Sequence, residues 1–180
     1  MPEDGSTEKR GALLHRALFS ALLLAALGTG AVSALALENT SAPGTDEMDR
    51  AFAVQVVAMT DEISSILRDW SETATPNATA SDNMRLRAVG VNLTARSRFW
   101  YDTLDAMPVS GNFTDTKQSM LLGLKEFEQA GNSTVRGMDL LLGGNEAASV
   151  PLIIEAGDHV SRGGDYFATA QKQFPSKGGS

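Results

Sequence analysis

The sequence predicts an all-α protein: an antiparallel up-down-up-down four-helix bundle over residues 46–174, preceded by an N-terminal signal or anchor helix. Three observations carry that prediction. Four long segments place apolar residues at alternating steps of about three and four, the spacing of one helix face, and no segment of useful length alternates as a strand does. Short segments rich in Gly, Pro, Ser, Thr and Asn separate them, and loops of that length make successive helices antiparallel neighbours. Upstream, residues 17–37 form a run of 21 positions without a charge.

The leader comes first. Residues 1–16 read as a cytoplasmic n-region, because Lys9, Arg10 and Arg16 lie against the apolar run while Glu3, Asp4 and Glu8 count little in orientation. A helix over 17–37 spans roughly 30 Å, about one bilayer core. The densest stretch, Ala17 to Leu27, is followed by Gly28-Thr29-Gly30 and by the small-x-small triplets Val32-Ser33-Ala34 and Ala34-Leu35-Ala36, which is the layout of a cleavable signal peptide. The undivided run is equally the layout of a retained anchor. Both readings put the chain from residue 38 onward outside the cell, and make the membrane a partner through 17–37 if the run is uncleaved.

Residues 38–45 form a linker without periodicity. The first helix then buries Met48, Phe52, Val56, Met59, Ile63, Ile66 and Trp70 and ends before Thr73-Ala74-Thr75-Pro76-Asn77. The second uses Leu86, Val89, Leu93, Trp100, Leu104 and Met107, with Arg96 or Ser97 at the missing rung, Ser81 or Asp82 as N-cap, and Pro108 and Gly111 as its stop. The third uses Met120 or Leu121, Leu124, Phe127, Gly131, Val135, Met138 and Leu142, opened by Asn112 or Thr114 and closed by Gly143-Gly144. The fourth starts at Ser149, holds Pro151 in its first turn, and repeats through Val150, Ile153, Gly157, Val160, Gly164 and Phe167 to Gln171 and Phe174. Residues 175–180 are a flexible tail. Antiparallel order gathers Phe52, Trp100, Met120 or Leu121, and Phe167 or Phe174 at one end, which faces the membrane. Trp70, Leu86, Val135, Met138, Val150 and Ile153 fill the other.

Composition narrows the chemistry. A chain of 180 residues and 19.0 kDa holds one ordinary domain. It contains no cysteine, which removes disulfides, thiolate metal sites and thiol nucleophiles. Its two histidines, His15 and His159, are far apart, and a net charge of −7 repels nucleic-acid phosphates, so no nucleic-acid partner is expected. Five Asn-x-Ser/Thr sequons begin at Asn39, Asn77, Asn92, Asn112 and Asn132. Random placement of the same residues gives roughly one, so the excess points to glycosylation on an exported chain. Capping accounts for Asn112 and Asn77 but not for the mid-helix Asn92 and Asn132. The absence of cysteine, the sequons and the basic-then-apolar start together point to an archaeal cell-surface protein.

The polar candidates are few. Arg85, Arg87, Arg96 and Arg98 fall within fourteen residues, and an offset of eleven, three helical turns, aligns Arg85 with Arg96 and Arg87 with Arg98. Such a ladder, with Trp100 beside it, could bind a small anionic ligand by bidentate contacts. The competing reading pairs the arginines locally: Arg98 with Asp102, Arg85 with Asp82, others with Asp61, Glu62 or Asp69. In Phe99-Trp100-Tyr101 one ring at least must lie at a boundary, and the expectation is Trp100 inside. Glu155–His159 and Asp158–Arg162 read as i,i+4 surface pairs rather than as metal ligands, because the other stripes are apolar.

In general plan the stretch 46–174 resembles the extracellular four-helix sensor domains of chemoreceptor-type proteins, where one helix leaves the membrane and the last returns to it. The resemblance is one of architecture and implies a binding or sensing role. The expectation is a non-enzymatic cell-surface or secreted bundle with no cofactor, acting on an unknown protein partner or a small anionic ligand. The alternatives are a structural envelope component that self-associates and a ligand- or metal-binding bundle enzyme.

Overall fold

The computed structural model describes residues 45–75 and 78–174. The 17–37 run, Asn39, Asn77 and the 175–180 tail lie outside the described residues. Four helices pack against one another, with no strand among the described residues: α1 Thr45–Thr73, α2 Ala80–Ala106, α3 Thr114–Leu142 and α4 Glu146–Gln173. Among the same residues no helix is long and apolar enough to cross a membrane.

Cross-helix bonds fix the directions. Asp49 meets Ser110 and Glu62 meets Arg96 between α1 and the α2 side, Arg87 meets Asp139 between α2 and α3, and Ser119 meets Gln173 between α3 and α4. Early residues of one helix meet late residues of the next in the Arg87–Asp139 and Ser119–Gln173 pairs, and Asp49 near the start of α1 meets Ser110 just past the end of α2 while Glu62 and Arg96 meet near mid-helix, so consecutive helices are antiparallel. The expected α1 stripe from Phe52 to Trp70 is buried throughout, and Leu86, Leu93, Trp100, Leu104, Leu124, Phe127, Met138 and Val160 join it in one core. Ser97 takes the missing rung of α2, fully buried, while Arg96 lies at the boundary. Leu142, expected inside, is exposed because it falls in the last turn of α3, past the final core layer.

Several helix starts differ from expectation. The α2 cap is Thr79 rather than Ser81 or Asp82: its hydroxyl accepts from the Asp82 N–H at 3.2 Å while the Asp82 carboxylate accepts from the Thr79 N–H at 2.8 Å. Neither Asn112 nor Thr114 caps α3. A 3-10 turn, Gly111–Phe113, leads straight into it, and its geometry drives Phe113 into the core. Helix α4 begins at Glu146, where Asn145 accepts from the Ala148 N–H at 3.3 Å. Ser149 is thus an interior, fully buried residue, and Pro151 sits at the sixth helical position rather than in the first turn. The proline removes one bond to the Ala147 carbonyl, which the solvent exposure of both residues makes cheap. Gly144, at φ 80°, supplies the left-handed turn that reverses the chain.

Packing is uneven. At the α2–α3 crossing a Cβ on Gly131 would lie 2.4 Å from Thr94 Oγ1 and 2.6 Å from the Gly90 carbonyl oxygen, so only hydrogen lets the backbones come this close. At the α3–α4 crossing the Phe127 ring covers Gly163 and the Phe167 ring covers Gly123, the two rings meeting edge-to-face at 5.1 Å. Helix α1 approaches less closely and docks through bulky side chains. Its last large one, Trp70, donates from Nε1 to Thr134 Oγ1 at 3.0 Å. At the opposite end Phe52, Phe113 and Phe174 stack edge-to-face at 5.9 and 5.5 Å. Trp100, expected there, lies beside Glu62 nearer the middle of α1, and the 3-10 turn delivers Phe113 in its place.

Candidate binding surface on helix α2

The four arginines of α2 do not form one ladder. A helix turns about 100° per residue, so Arg87 and Arg96, nine residues apart, leave on different sides. Arg96 reaches α1, where its Nε lies 2.5 Å from Glu62 Oε1, and its guanidinium covers the Phe99 ring at 4.4 Å. The Trp100 indole donates to the same carboxylate at 2.7 Å. Arg96 hydrogen bonding, the largest influence, holds the Glu62 carboxyl below its ordinary range, with Trp100 assisting against partial burial. Arg87 turns the other way and pairs with Asp139 of α3 at 2.5 Å. Local acids therefore occupy both arginines. Arg85 and Arg98 are exposed and form no ion pair within 4 Å among the described residues, so the expected Arg98–Asp102 and Arg85–Asp82 bridges are not made.

Trp100 points inward and Phe99 outward, 48% exposed, as the aromatic triplet requires. Phe99 is not alone. Of the five large apolar side chains exposed among the described residues, three lie on α2: Met84 at 56%, Val91 at 47% and Phe99. Ala88 and Ala95, also exposed, fall between them. The order 84, 88, 91, 95, 98/99 repeats every 3.5 residues and forms a second apolar stripe, facing away from the core. The sequence carried this signal, and the inner stripe masked it. Along its C-terminal half the stripe borders an open groove of about 910 Å³ between α2 and α3, lined by Val91, Ala95, Arg98 and Phe99 on one side and Asn132 and Arg136 on the other.

The second polar cluster spans α3 and α4. His159 Nδ1 lies 2.7 Å from Glu126 Oε2, Arg162 Nε donates to that oxygen at 2.9 Å, and Glu155 Oε1 lies 3.8 Å from His159 Nε2. Arg162 thus chooses Glu126 over the expected Asp158, which the sequence could not reveal because the partner is on another helix. Burial is the largest single influence on Glu126 and pushes its carboxyl up. The bonds and charges of His159 and Arg162 together outweigh it and leave the group below its ordinary range. No three metal-ligating side chains converge among the described residues.

The sequons divide. Asn92 and Asn112 are exposed, whereas Asn132 is half-buried and its Oδ1 accepts from Thr94 Oγ1 at 3.4 Å. Their threonines also have structural roles: Thr79 caps α2, Thr94 packs on Gly131, and the buried Thr134 accepts from Trp70 and donates to the Ala130 carbonyl. Helix packing therefore gives Thr94 and Thr134 a purpose that capping could not.

No family model matches the chain, and neither the curated proteins nor the solved structures contain a match.

Proposed function

We propose that this chain is a non-enzymatic binding or sensing module of the cell envelope, displayed at the surface or secreted, with the outer face of α2 as its contact surface. The observation that carries the reading is the clustering on that one stripe of three of the five large apolar side chains exposed among the described residues. A solvated helix face normally carries charge, and a contiguous apolar strip marks a contact site. The basic-then-apolar start of the sequence, with 17–37 as membrane anchor or signal, supports export, as do the five sequons. The Phe52–Phe113–Phe174 end, where α1 begins and α4 finishes, then lies toward the membrane. Intact-mass spectrometry of the native protein, combined with cell fractionation, tests this. A mature start near Leu35 or Leu37, or a full-length chain in the membrane fraction, supports it. Recovery of the whole polypeptide from the cytosol with bare asparagines overturns it.

A further inference from the structure

We infer that the outer stripe of α2 is a self-recognition surface on which a second copy of this chain docks antiparallel, helix against helix. The inference rests on the reading of that face as the contact surface. Residues Met84, Ala88, Val91, Ala95, Arg98 and Asp102 follow steps of four and three, a left-handed coiled-coil seam about 27 Å long. Ala88 and Ala95 are small enough to let a second helix approach, and the larger residues stand between them.

Charge selects the occupant and its direction. Arg85 flanks the stripe near its start, and Arg98 and Asp102 lie on it near its end; all three are exposed and none is in an ion pair among the described residues. A parallel, in-register pair would stack Arg85 on Arg85 of the partner subunit and Asp102 on Asp102 of the partner subunit, and like charges repel. An antiparallel pair about a two-fold axis near Leu93 reverses this. Val91 then faces Ala95 of the partner subunit, Ala88 lies under Phe99 of the partner subunit, and Arg85 comes within one residue of Asp102 of the partner subunit. Val91 on the small Ala95 of the partner subunit and Arg85 near Asp102 of the partner subunit each occur twice over, because an isologous interface repeats each contact, and Arg98 lies over Ala88 of the partner subunit, far from Arg98 of the partner subunit. The open α2–α3 groove leaves room alongside Val91 and Phe99 for the incoming helix.

The test uses the full native chain in mild detergent and, beside it, the Asn92→Gln variant, because Asn92 lies one residue from Val91 and a sugar there stands at the edge of the stripe; dimerisation is expected in both, and a dimer confined to Asn92→Gln overturns self-docking of the native protein. Sedimentation velocity from about 1 to about 500 µM is expected to show a monomer–dimer equilibrium. Val91→Glu should weaken it by about a hundredfold, and Arg85→Asp or Asp102→Arg by about tenfold each. The double variant Arg85→Asp/Asp102→Arg should restore it, which a merely misfolded surface would not do. Because the chain has no cysteine, Val91→Cys mixed with Ala95→Cys gives a second readout: a mixed disulfide is expected, and none with the exposed α1 control Val54→Cys. A monomer at every concentration, or association indifferent to Val91→Glu, overturns the self-docking. Whether the face serves any partner is read separately, by whether Val91→Glu alters retention of the protein at the envelope.

Discussion

The α3–α4 seam and the docking of α1 solve the same packing problem by opposite means. In the seam, glycines let backbones approach until each phenylalanine ring rests on the facing main chain, Phe127 on Gly163 and Phe167 on Gly123. Helix α1 stands farther off and spans the distance with Phe52, Met59, Ile63 and Trp70, helped by Glu62 and Asp49 at its edges. Close backbone packing tolerates almost no change of shape. Packing through long side chains tolerates repacking but holds the helix through fewer main-chain neighbours, so α1 is the element expected to open first.

The comparison can be broken hardest at the seam. Phe127→Ala removes a fully buried ring and leaves the Gly163 backbone facing a void, with an expected loss of about 3–5 kcal/mol in urea unfolding. Gly131→Ala comes next. Its new methyl would meet main-chain atoms of Gly90 and Thr94, which cannot rotate away, and a net cost of about 1–3 kcal/mol is expected despite the better helix propensity of alanine. On the α1 side, Trp70→Phe keeps most of the apolar bulk and loses the bond to Thr134, for about 1 kcal/mol. Hydrogen exchange sharpens the point: α1 amides should lose protection in Trp70→Phe while those of α3 keep theirs. Equal loss in both would show that α1 is no looser than the rest.

The smallest effect is one of pH. Glu62 fastens α1 to α2, and Glu126 fastens α3 to α4; both carboxyls are held below the ordinary value of 4.5. The unfolded chain then binds protons that the folded one does not, so their contribution is fully present above 4.5 and fades as pH falls through the lower folded values. Glu62→Gln and Glu126→Gln should each flatten the fall in unfolding midpoint below pH 4.5. The comparison predicts that the Glu62 variant changes α1 exchange and the Glu126 variant does not.

The fold was largely legible because burial of large residues at a spacing of 3.6 leaves little choice. Phe52 through Trp70, Leu93, Leu124 and Phe127 face inward as their spacing requires. What failed to show were relations between helices. Glu62 was one of three acids available to Arg96, and only the rotation of α1 selects it. Glu126 and His159 are 33 residues apart and meet through an interhelical register that no local period encodes. The outer stripe of α2 was present in the sequence, but Met84, Val91 and Phe99 lie between stronger signals from Leu86, Leu93 and Trp100. The Thr79–Asp82 box was legible too, and Ser81 competed for the same role.

The bond from the Ser110 N–H to Asp49 has a mechanical meaning. It ties the opening turns of α1 to the far end of the hairpin, 61 residues along, beside the Phe52 ring. Tension arriving from upstream of Thr45 meets that clasp and that ring before any other α1 core residue. Failure would travel from there like an unfastened zip, turn by turn toward Trp70, while the glycine-locked remainder stays intact. A tug on the chain ahead of Thr45 would thus be felt first as a detached α1 strap, at a lower force than shearing the whole bundle demands.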